Sequence, residues 1–460
     1  MAMDTGNEAF RINNHLCKFS GDGRFLSFAF QGNLVIKNTG TYDTFLSFSF
    51  IDIIEHVEWT PDSEYILCAS FKKAVIQVFS ICYPDWRCKL TEGSAGLERV
   101  TWSPDGRHII TTGDYNIQLS IWSLENRSVT YIQNVKSSAN KKLKFSPDGK
   151  RLALIMMDTE SYVAIYKTCN WKISRKLICE GLESIDGICW VPNGEMLCIW
   201  SSGVLHSKLL VFSTVSESLV GSFVADEETK HLTTMIPEHE NEFAKRLKGI
   251  SNLRWIPSGQ LLAVTGFRKL IILLNHLTWK PLAWLQHDPI IKDDICSTKV
   301  YKECVMQIRD TNKHATSHCR HILEEVRTRP FNLPPLKRDC ITENPIPEID
   351  IVEFSACGRY LSTRHQLYPT TLWIWDVTTD KIEYLLLRNR ITNVRWDPSS
   401  TRLLAFTESA NIFEWSPNSV ACIPTPKGIV ISDAQWHPHG KTVALYGYNK
   451  AAIHHINSDR

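Results

Sequence analysis

Several features that would indicate a catalytic or metal-binding protein are missing from the sequence. Its 14 cysteines are scattered singly and form no Cys-x-x-Cys pair, the usual spacing of structural zinc sites and redox motifs. It contains neither a Gly-x-x-x-x-Gly-Lys-Ser/Thr loop for nucleotide phosphates nor a Gly-x-Ser-x-Gly nucleophile elbow. We therefore predict no enzyme activity and no cofactor.

The sequence also lacks a charge excess and a long apolar run. It has 51 basic and 49 acidic residues, a net charge of only +2, which argues against a nucleic-acid partner. The N-terminal residues 1–16 carry no apolar signal segment, and the run at 270–279 is far shorter than the ~20 residues of a membrane span. We expect a soluble intracellular protein with free thiols and no membrane partner.

What the sequence does contain is a repeated seven-residue motif: an aromatic residue, a turn such as Ser-Pro-Asp-Gly, and two further residues. Successive copies lie 40, 43, 43, 45, 65, 99, 42 and 40 residues apart. A period of roughly 40–45 residues is typical of a four-stranded propeller blade. The nine copies begin at Phe19, Trp59, Trp102, Phe145, Trp190, Trp255, Phe354, Trp396 and Trp436.

Hairpin geometry explains the motif better than ligand chemistry does. In WSPDGRH (102–108), proline presets the first turn residue, aspartate suits the next, and glycine accepts the left-handed backbone. Apolar runs without alternation follow, such as RLALIM (151–156), as expected of strands covered on both faces. At the ends of the third strands only Trp375-Asp376 is a literal Trp-Asp pair, and no Gly-His dipeptide occurs, so we expect no hydrogen-bonded tetrad of the kind found in strong WD repeats.

These observations predict an all-β, WD40-like β-propeller formed by residues 1–460 as a single domain. We favour one closed ring of nine four-stranded blades, in which strand 9–13 completes the last blade. Seven blades with two accessory units, or two smaller rings, remain the alternatives. Insertions at about 225–248, predicted to be a solvated loop or short helix, and at about 286–347, partly irregular, are candidate places for partners.

Two basic runs, residues 136–151 and residues 327–338 of the second insertion, contain the candidate partner-binding residues. They could contact an acidic surface such as tubulin, although most basic runs are solvated faces. A zinc site within the second insertion is a weaker alternative, since Cys296, Cys304, His314, His318, Cys319 and His321 match no zinc spacing. The partner-binding candidates are Lys141, Lys142, Arg327, Arg329, Lys337 and Arg338.

Longer segments resemble one particular group of WD-repeat proteins. They are residues 17–26, 56–80, 86–97, 102–109, 274–280 and 300–303. Together they resemble the family of WD-repeat-containing protein eight, the spindle-pole and centriolar-satellite WD protein encoded in vertebrates antisense to a tumour-suppressor gene. The charged segment 225–248 departs from the compact connection expected in that family.

The resemblance implies a noncatalytic scaffold in the cytoplasm and cytoskeleton, at the centrosome or microtubule-organising centre, centriolar satellites and spindle poles. It implies a coiled-coil centrosomal anchoring partner, with a minus-end-directed kinesin and tubulin-associated complexes as further partners. The implied roles are tethering of microtubule minus ends, spindle assembly in mitosis and cilium formation. A translation-factor-like propeller that binds ribosomal components is the alternative.

Overall fold

The structure, a computed structural model, describes residues 9–456 except 94–95, 114–117, 137–142, 204–206, 217, 226–246, 248, 268, 293–297, 309–317, 337–346 and 380. Among these residues the chain forms 40 strands and a 3₁₀ helix at Pro426–Gly428. No helix in the described part is long and apolar enough to cross a membrane. The chain divides into a larger unit (Leu16–Gly266 and Ile271–Trp284) and a smaller unit (Met1–His15, Phe267–Leu270 and Leu285–Arg460).

Strand β1 (Ala9–Arg11) belongs to the smaller unit. The next 24 strands form six antiparallel four-stranded blades. These blades lie in the larger unit, apart from a few residues of the sixth blade. Blade 1 comprises β2 (Cys17–Phe19), β3 (Phe25–Phe30), β4 (Asn33–Asn38) and β5 (Thr44–Ser49). Blade 2 comprises β6 (His56–Trp59), β7 (Tyr65–Ser70), β8 (Val75–Ser80) and β9 (Arg87–Thr91). Blade 3 comprises β10 (Arg99–Trp102), β11 (His108–Thr112), β12 (Leu119–Ser123) and β13 (Val129–Ile132).

Blades 4 to 6 repeat the same strand order. Blade 4 comprises β14 (Leu143–Phe145), β15 (Arg151–Met157), β16 (Ser161–Lys167) and β17 (Ile173–Leu177). Blade 5 comprises β18 (Gly187–Trp190), β19 (Met196–Trp200), β20 (Lys208–Ser213) and β21 (Leu219–Val224). Blade 6 comprises β22 (Asn252–Trp255), β23 (Leu261–Thr265), β24 (Leu270–Asn275) and β25 (Pro281–Gln286).

The smaller unit contains three blades and four additional strands. The additional strands are β26 (Ile290–Ile291), β27 (Thr298–Ile308), β28 (His318–Glu325) and β29 (Phe331–Asn332). Blade 7 comprises β30 (Ile349–Phe354), β31 (Tyr360–His365), β32 (Thr371–Asp376) and β33 (Lys381–Leu386). Blade 8 comprises β34 (Asn393–Trp396), β35 (Leu403–Phe406), β36 (Asn411–Ser416) and β37 (Ser419–Pro424), and blade 9 comprises β38 (Asp433–Trp436), β39 (Thr442–Tyr446) and β40 (Lys450–His455).

Each copy of the sequence motif occupies the same place in a blade. Its aromatic residue ends the first strand, as Trp102 ends β10, and its turn leads to the second strand. The described residues therefore contain nine blades of one propeller type, so the prediction of nine blades is confirmed and that of seven with two accessory units is wrong. The closed single ring stays a prediction.

The turn chemistry predicted for the motif is present in atomic detail. In blade 3, the Asp105 carboxylate accepts the backbone N–H of Arg107 at 2.8 Å, and Gly106 has a φ of +66°. In blade 4 a side chain on Gly149, with φ +70°, would come within 2.7 Å of Pro104 Cβ in blade 3. Glycine is thus required there by both backbone conformation and a close approach.

The motif's tryptophans also join neighbouring blades, a role that its sequence alone does not show. The indole N–H of Trp102 donates to the carbonyl oxygen of Glu58 at 3.1 Å, and that of Trp190 donates to Lys144 at 2.9 Å. Each bond runs from one blade's first strand to the preceding blade's first strand. The same bond links Trp59 to Lys18, Trp396 to Glu353 and Trp436 to Arg395.

The core consists of apolar clusters shared by consecutive blades. One cluster joins Ile155 and Ile165 of blade 4 to Ile188 and Ile199 of blade 5. Similar clusters join blades 1 and 2, 2 and 3, 3 and 4, 7 and 8, and 8 and 9. All six residues of β31 and of β32 are buried, which explains why the central strands show no alternation.

The N-terminal strand completes blade 9, as predicted. β1 pairs antiparallel with β40, with Phe10 opposite Ala451, and the sheet order is β1-β40-β39-β38. Ile12 follows β1, is fully buried, and donates its N–H to Asn449. The two ends of the chain therefore share one blade of the smaller unit.

Three members of a WD-type hydrogen-bonded network assemble in blade 7, fewer than the four of the tetrad that the sequence is not expected to form. The indole N–H of Trp375 donates to Thr363 Oγ1 at 2.9 Å, and Thr363 Oγ1 lies 2.8 Å from His287 Nε2. His287 Nδ1 lies 3.3 Å from the carbonyl oxygen of Lys269. The histidine follows Gln286 rather than a glycine, so a search for Gly-His does not find it.

Candidate functional site

The 286–347 insertion adds a β-hairpin to the outer edge of blade 7. Strand β27 pairs in parallel with β33 through Thr298–Lys302, and β28 pairs antiparallel with β27. Blade 7 therefore has six strands, in the order β28-β27-β33-β32-β31-β30, rather than the predicted four. Since Glu303–Ile308 lie beyond the stretch paired with β33, the distal half of the hairpin projects past that strand.

A buried carboxylate attaches the hairpin to the blade. Glu303 is only 6% exposed, and its Oε1 lies 2.6 Å from His321 Nδ1 on β28. Its Oε2 accepts the backbone N–H of Arg388 at 2.8 Å, just after β33. A buried carboxylate without such partners would be costly, so these bonds hold the two hairpin strands and the end of β33 in one arrangement.

Apolar contacts with blade 8 support the same hairpin. Tyr301 of β27 and Leu323 of β28 pack against the core cluster of blades 7 and 8, as do Val420 and Cys422 of β37. Burial raises the pKa of Tyr301 and of Cys422 to about 12, with nearby carboxylates acting in the same direction. Both side chains are therefore uncharged near neutral pH, which suits this half-buried contact.

The predicted basic residues divide into three groups. Arg329 holds the base of the hairpin, because its guanidinium donates to the carbonyl oxygens of Thr298 at 2.9 Å and Val326 at 2.8 Å. Arg327 is exposed and pairs with Glu325 at 3.2 Å. The other four candidates lie outside the described residues: Lys141, Lys142, Lys337 and Arg338.

The outer strand of the hairpin presents a surface of mixed charge. We call its exposed residues Cys319, Arg320, Glu324 and Glu325 the hairpin edge. Among the described strands β28 pairs only with β27, so its other side has backbone groups outside any sheet of that part of the chain. Exposed backbone groups of this kind can pair with another chain.

The zinc alternative gains no support in the described part of the chain. No group of three or more His, Cys, Asp or Glu side chains there is placed to hold a metal ion. Cys296 and His314 lie outside the described residues, and His321 is bound to Glu303. The predicted loop or helix at 225–248 also falls almost entirely outside them.

Comparison with known proteins identifies the family. A family model described as eukaryotic translation initiation factor eIF2A matches residues 27–159. WD repeat-containing protein WRAP73 of Mus musculus is 31% identical over 458 residues, covering 95% of this chain and 93% of the mouse protein. The chain belongs to the WRAP73 family of WD-repeat proteins.

Two further likenesses are to other WD-repeat proteins. An uncharacterised WD repeat-containing protein of Schizosaccharomyces pombe is 20% identical over 435 residues, covering 88% of this chain and 82% of that protein. The crystal structure of the C-terminal WD40 domain of Sif2 matches with a TM-score of 0.51 at 11% identity, covering 98% of this chain and 97% of that one. That structure supports the WD40 fold alone.

Proposed function

We propose that this WRAP73-family chain is a noncatalytic scaffold at centrosomes, centriolar satellites and spindle poles. It binds a coiled-coil anchoring partner and so helps to tether microtubule minus ends during spindle assembly and ciliogenesis. A minus-end-directed kinesin and tubulin-associated complexes act as further partners. The narrower placement with WD-repeat-containing protein eight is part of this proposal.

The observation that carries the proposal is the relationship to a WD-repeat protein along almost the whole chain, at 31% identity over 458 residues. WD40 propellers generally act as noncatalytic scaffolds, which supports the absence of enzyme activity. The centrosomal role and the partner come from the resemblance of segments such as 56–80 and 102–109 to the spindle-pole WD proteins.

The hairpin edge is the surface we propose for the coiled-coil partner. It carries Arg320, Glu324 and Glu325 along the strand, and Arg327 lies two residues beyond its end. Coiled coils carry mixed basic and acidic residues at the positions flanking their apolar seam, which complement such a surface. The buried Glu303–His321 pair and the contacts with blade 8 hold this surface rigid.

Affinity purification of the tagged chain from mitotic cells tests the proposal. The wild type should recover a coiled-coil centrosomal protein, and Arg320→Glu with Glu324→Lys should lose it, because both charges of the edge are reversed. Lys280→Glu with Glu125→Lys is the matched control, since it makes the same charge changes at exposed positions elsewhere. Recovery of no coiled-coil centrosomal protein by the wild type would overturn the proposal.

A second candidate function is favoured by one observation. Residues 27–159 match the eIF2A family model, which supports the alternative of a propeller that binds ribosomal components. Sedimentation of cell extracts separates the two proposals. RNase-sensitive migration of the chain with ribosomal subunits favours the translational role, and migration away from them favours the scaffold.

A further inference from the structure

A second feature of the molecule, remote in sequence from the hairpin, is a basic groove between blades 4 and 5. It has a volume of about 600 Å³. Its lining includes four basic side chains and the hydroxyl residues Thr168, Ser174 and Thr214. The basic residues are Lys150, Arg151, Lys167 and Arg175.

The strand register brings three of these cations to one face of blade 4. Arg151 on β15 lies directly opposite Lys167 on β16, and Arg175 on β17 lies opposite Ile165. Residues opposite one another, or two apart on a strand, share a face of the sheet, so Arg151, Lys167 and Arg175 point the same way. This face points toward blade 5, since Ile165 packs in a cluster with Trp190.

Such an arrangement is unfavourable in the unliganded protein. Directly opposed residues have Cβ atoms roughly 4.5–5.5 Å apart, and like charges on such a pair are destabilising. None of the described residues that line the groove is an aspartate or glutamate. The nearby Asp148 accepts the Ser146 hydroxyl at 2.5 Å and the backbone N–H of Lys150 at 3.1 Å, and its carboxylate offsets part of the positive charge of Lys150 and Arg151.

We propose that this groove binds a phosphate monoester on a serine or threonine side chain of a partner protein. Arginine and lysine bind phosphate through charge-assisted hydrogen bonds, and a bound dianion removes the repulsion between Arg151 and Lys167. Val215, 71% exposed, adjoins the lining residue Thr214 in sequence. An exposed apolar side chain next to the lining suits a residue that flanks a phosphate in a peptide rather than a free anion.

An extended nucleic-acid backbone is a poorer match for the groove. Such a ligand needs a basic surface along its length, and the whole chain has a net charge of only +2. A carboxylate carries one charge where a phosphate monoester carries up to two, so it offsets less of the repulsion. The inference goes beyond the scaffold proposal and does not depend on it.

Peptide binding to the full chain, followed by fluorescence anisotropy, tests the groove. The probe is a labelled heptapeptide with a central phosphoserine between leucines, compared with the same peptide carrying serine or glutamate. The phosphopeptide should bind at least about tenfold more tightly than either, as expected for charge-assisted bonds to phosphate. Lys167→Gln should lose about tenfold of this affinity, while Lys172→Gln, an exposed change outside the lining, should bind like the wild type.

Thermal unfolding of the same proteins gives an independent readout. Without phosphopeptide, Lys167→Gln should melt at or above the wild-type temperature, because it relieves the repulsion with Arg151. Equal binding of the phosphoserine and serine peptides, or equal losses in Lys167→Gln and Lys172→Gln, would overturn the inference. Two results would overturn the assignment to a phosphorylated side chain. One is an affinity for inorganic phosphate, measured by competition, that equals the affinity for the phosphopeptide. The other is tighter binding of the glutamate peptide than of the phosphopeptide.

Discussion

Acidification should loosen blade 7 through its buried histidine. Burial, with a smaller contribution from the neighbouring His365, lowers the pKa of His287 from 6.5 to about 3. The unfolded chain therefore takes up a proton below pH 6.5, while the folded chain does not until far lower pH. The stability that depends on neutral His287 is complete above pH 6.5 and is lost as the pH falls below it.

The size of the effect follows from the same pKa difference. Each pH unit below 6.5 costs about 1.4 kcal/mol, so the loss from this group reaches about 2 kcal/mol at pH 5. If blade 7 opens locally, its opening equilibrium rises roughly 30-fold between pH 7 and pH 5. Burial also lowers the pKa of His365 to about 4, which adds a loss in the same direction.

Hydrogen–deuterium exchange of β31 and β32 measures this opening. The protection factors are corrected for the intrinsic exchange rate at each pH. From pH 7 to pH 5 they should fall roughly 30-fold more in the wild type than in His287→Gln. Glutamine keeps an acceptor for Thr363 and a donor for Lys269 but does not titrate. The control His439→Gln changes an exposed histidine and should behave like the wild type. Equal losses of protection in the wild type and His287→Gln would refute the reasoning.

Three further substitutions or deletions test the blade contacts. Deleting residues 9–12 exposes the edge of β40 and removes the buried Ile12. The melting temperature should fall, because the free energy of unfolding decreases by about 1.5–3 kcal/mol. Unchanged melting would argue against the shared terminal blade. Trp190→Phe removes the indole bond to Lys144 and should cost about 1 kcal/mol in chemical unfolding, whereas no loss would show that this bond is dispensable. Gly149→Ala, strained at φ +70° and in close contact with blade 3, should cost about 1–3 kcal/mol, and a neutral result would contradict the close approach.

The blades could be predicted from the sequence because their information is local. Each Ser-Pro-Asp-Gly turn fixes a hairpin, and the spacing of the motifs counts the hairpins. The terminal strand could also be predicted, because the last repeat lacks one strand and residues 9–13 precede the first. No local sequence pattern predicts which tryptophan N–H groups donate to the preceding blade, because that contact depends on how the blades pack.

The hairpin of blade 7 could not be predicted in the same way. Its strands, TKVYKECVMQI and HCRHILEE, mix charged and apolar residues without regular alternation, and β27 adds in parallel to a strand about 80 residues further along the chain. The basic groove could not be predicted from the sequence either, because it also depends on strand pairing. Lys150 and Arg151 belong to a basic run visible in the sequence, but Lys167 and Arg175 join them only through strand pairing.

The most direct test of the scaffold proposal is the amount of tagged protein at spindle poles, relative to cytoplasm, in living mitotic cells. The wild type and the Lys280→Glu, Glu125→Lys control should concentrate at the poles, and the Arg320→Glu, Glu324→Lys variant should be diffuse at the same expression level. A wild-type protein that is diffuse throughout mitosis would contradict the centrosomal role. If the hairpin-edge variant is as concentrated at the poles as the wild type, the hairpin edge is not the surface that binds the anchoring partner.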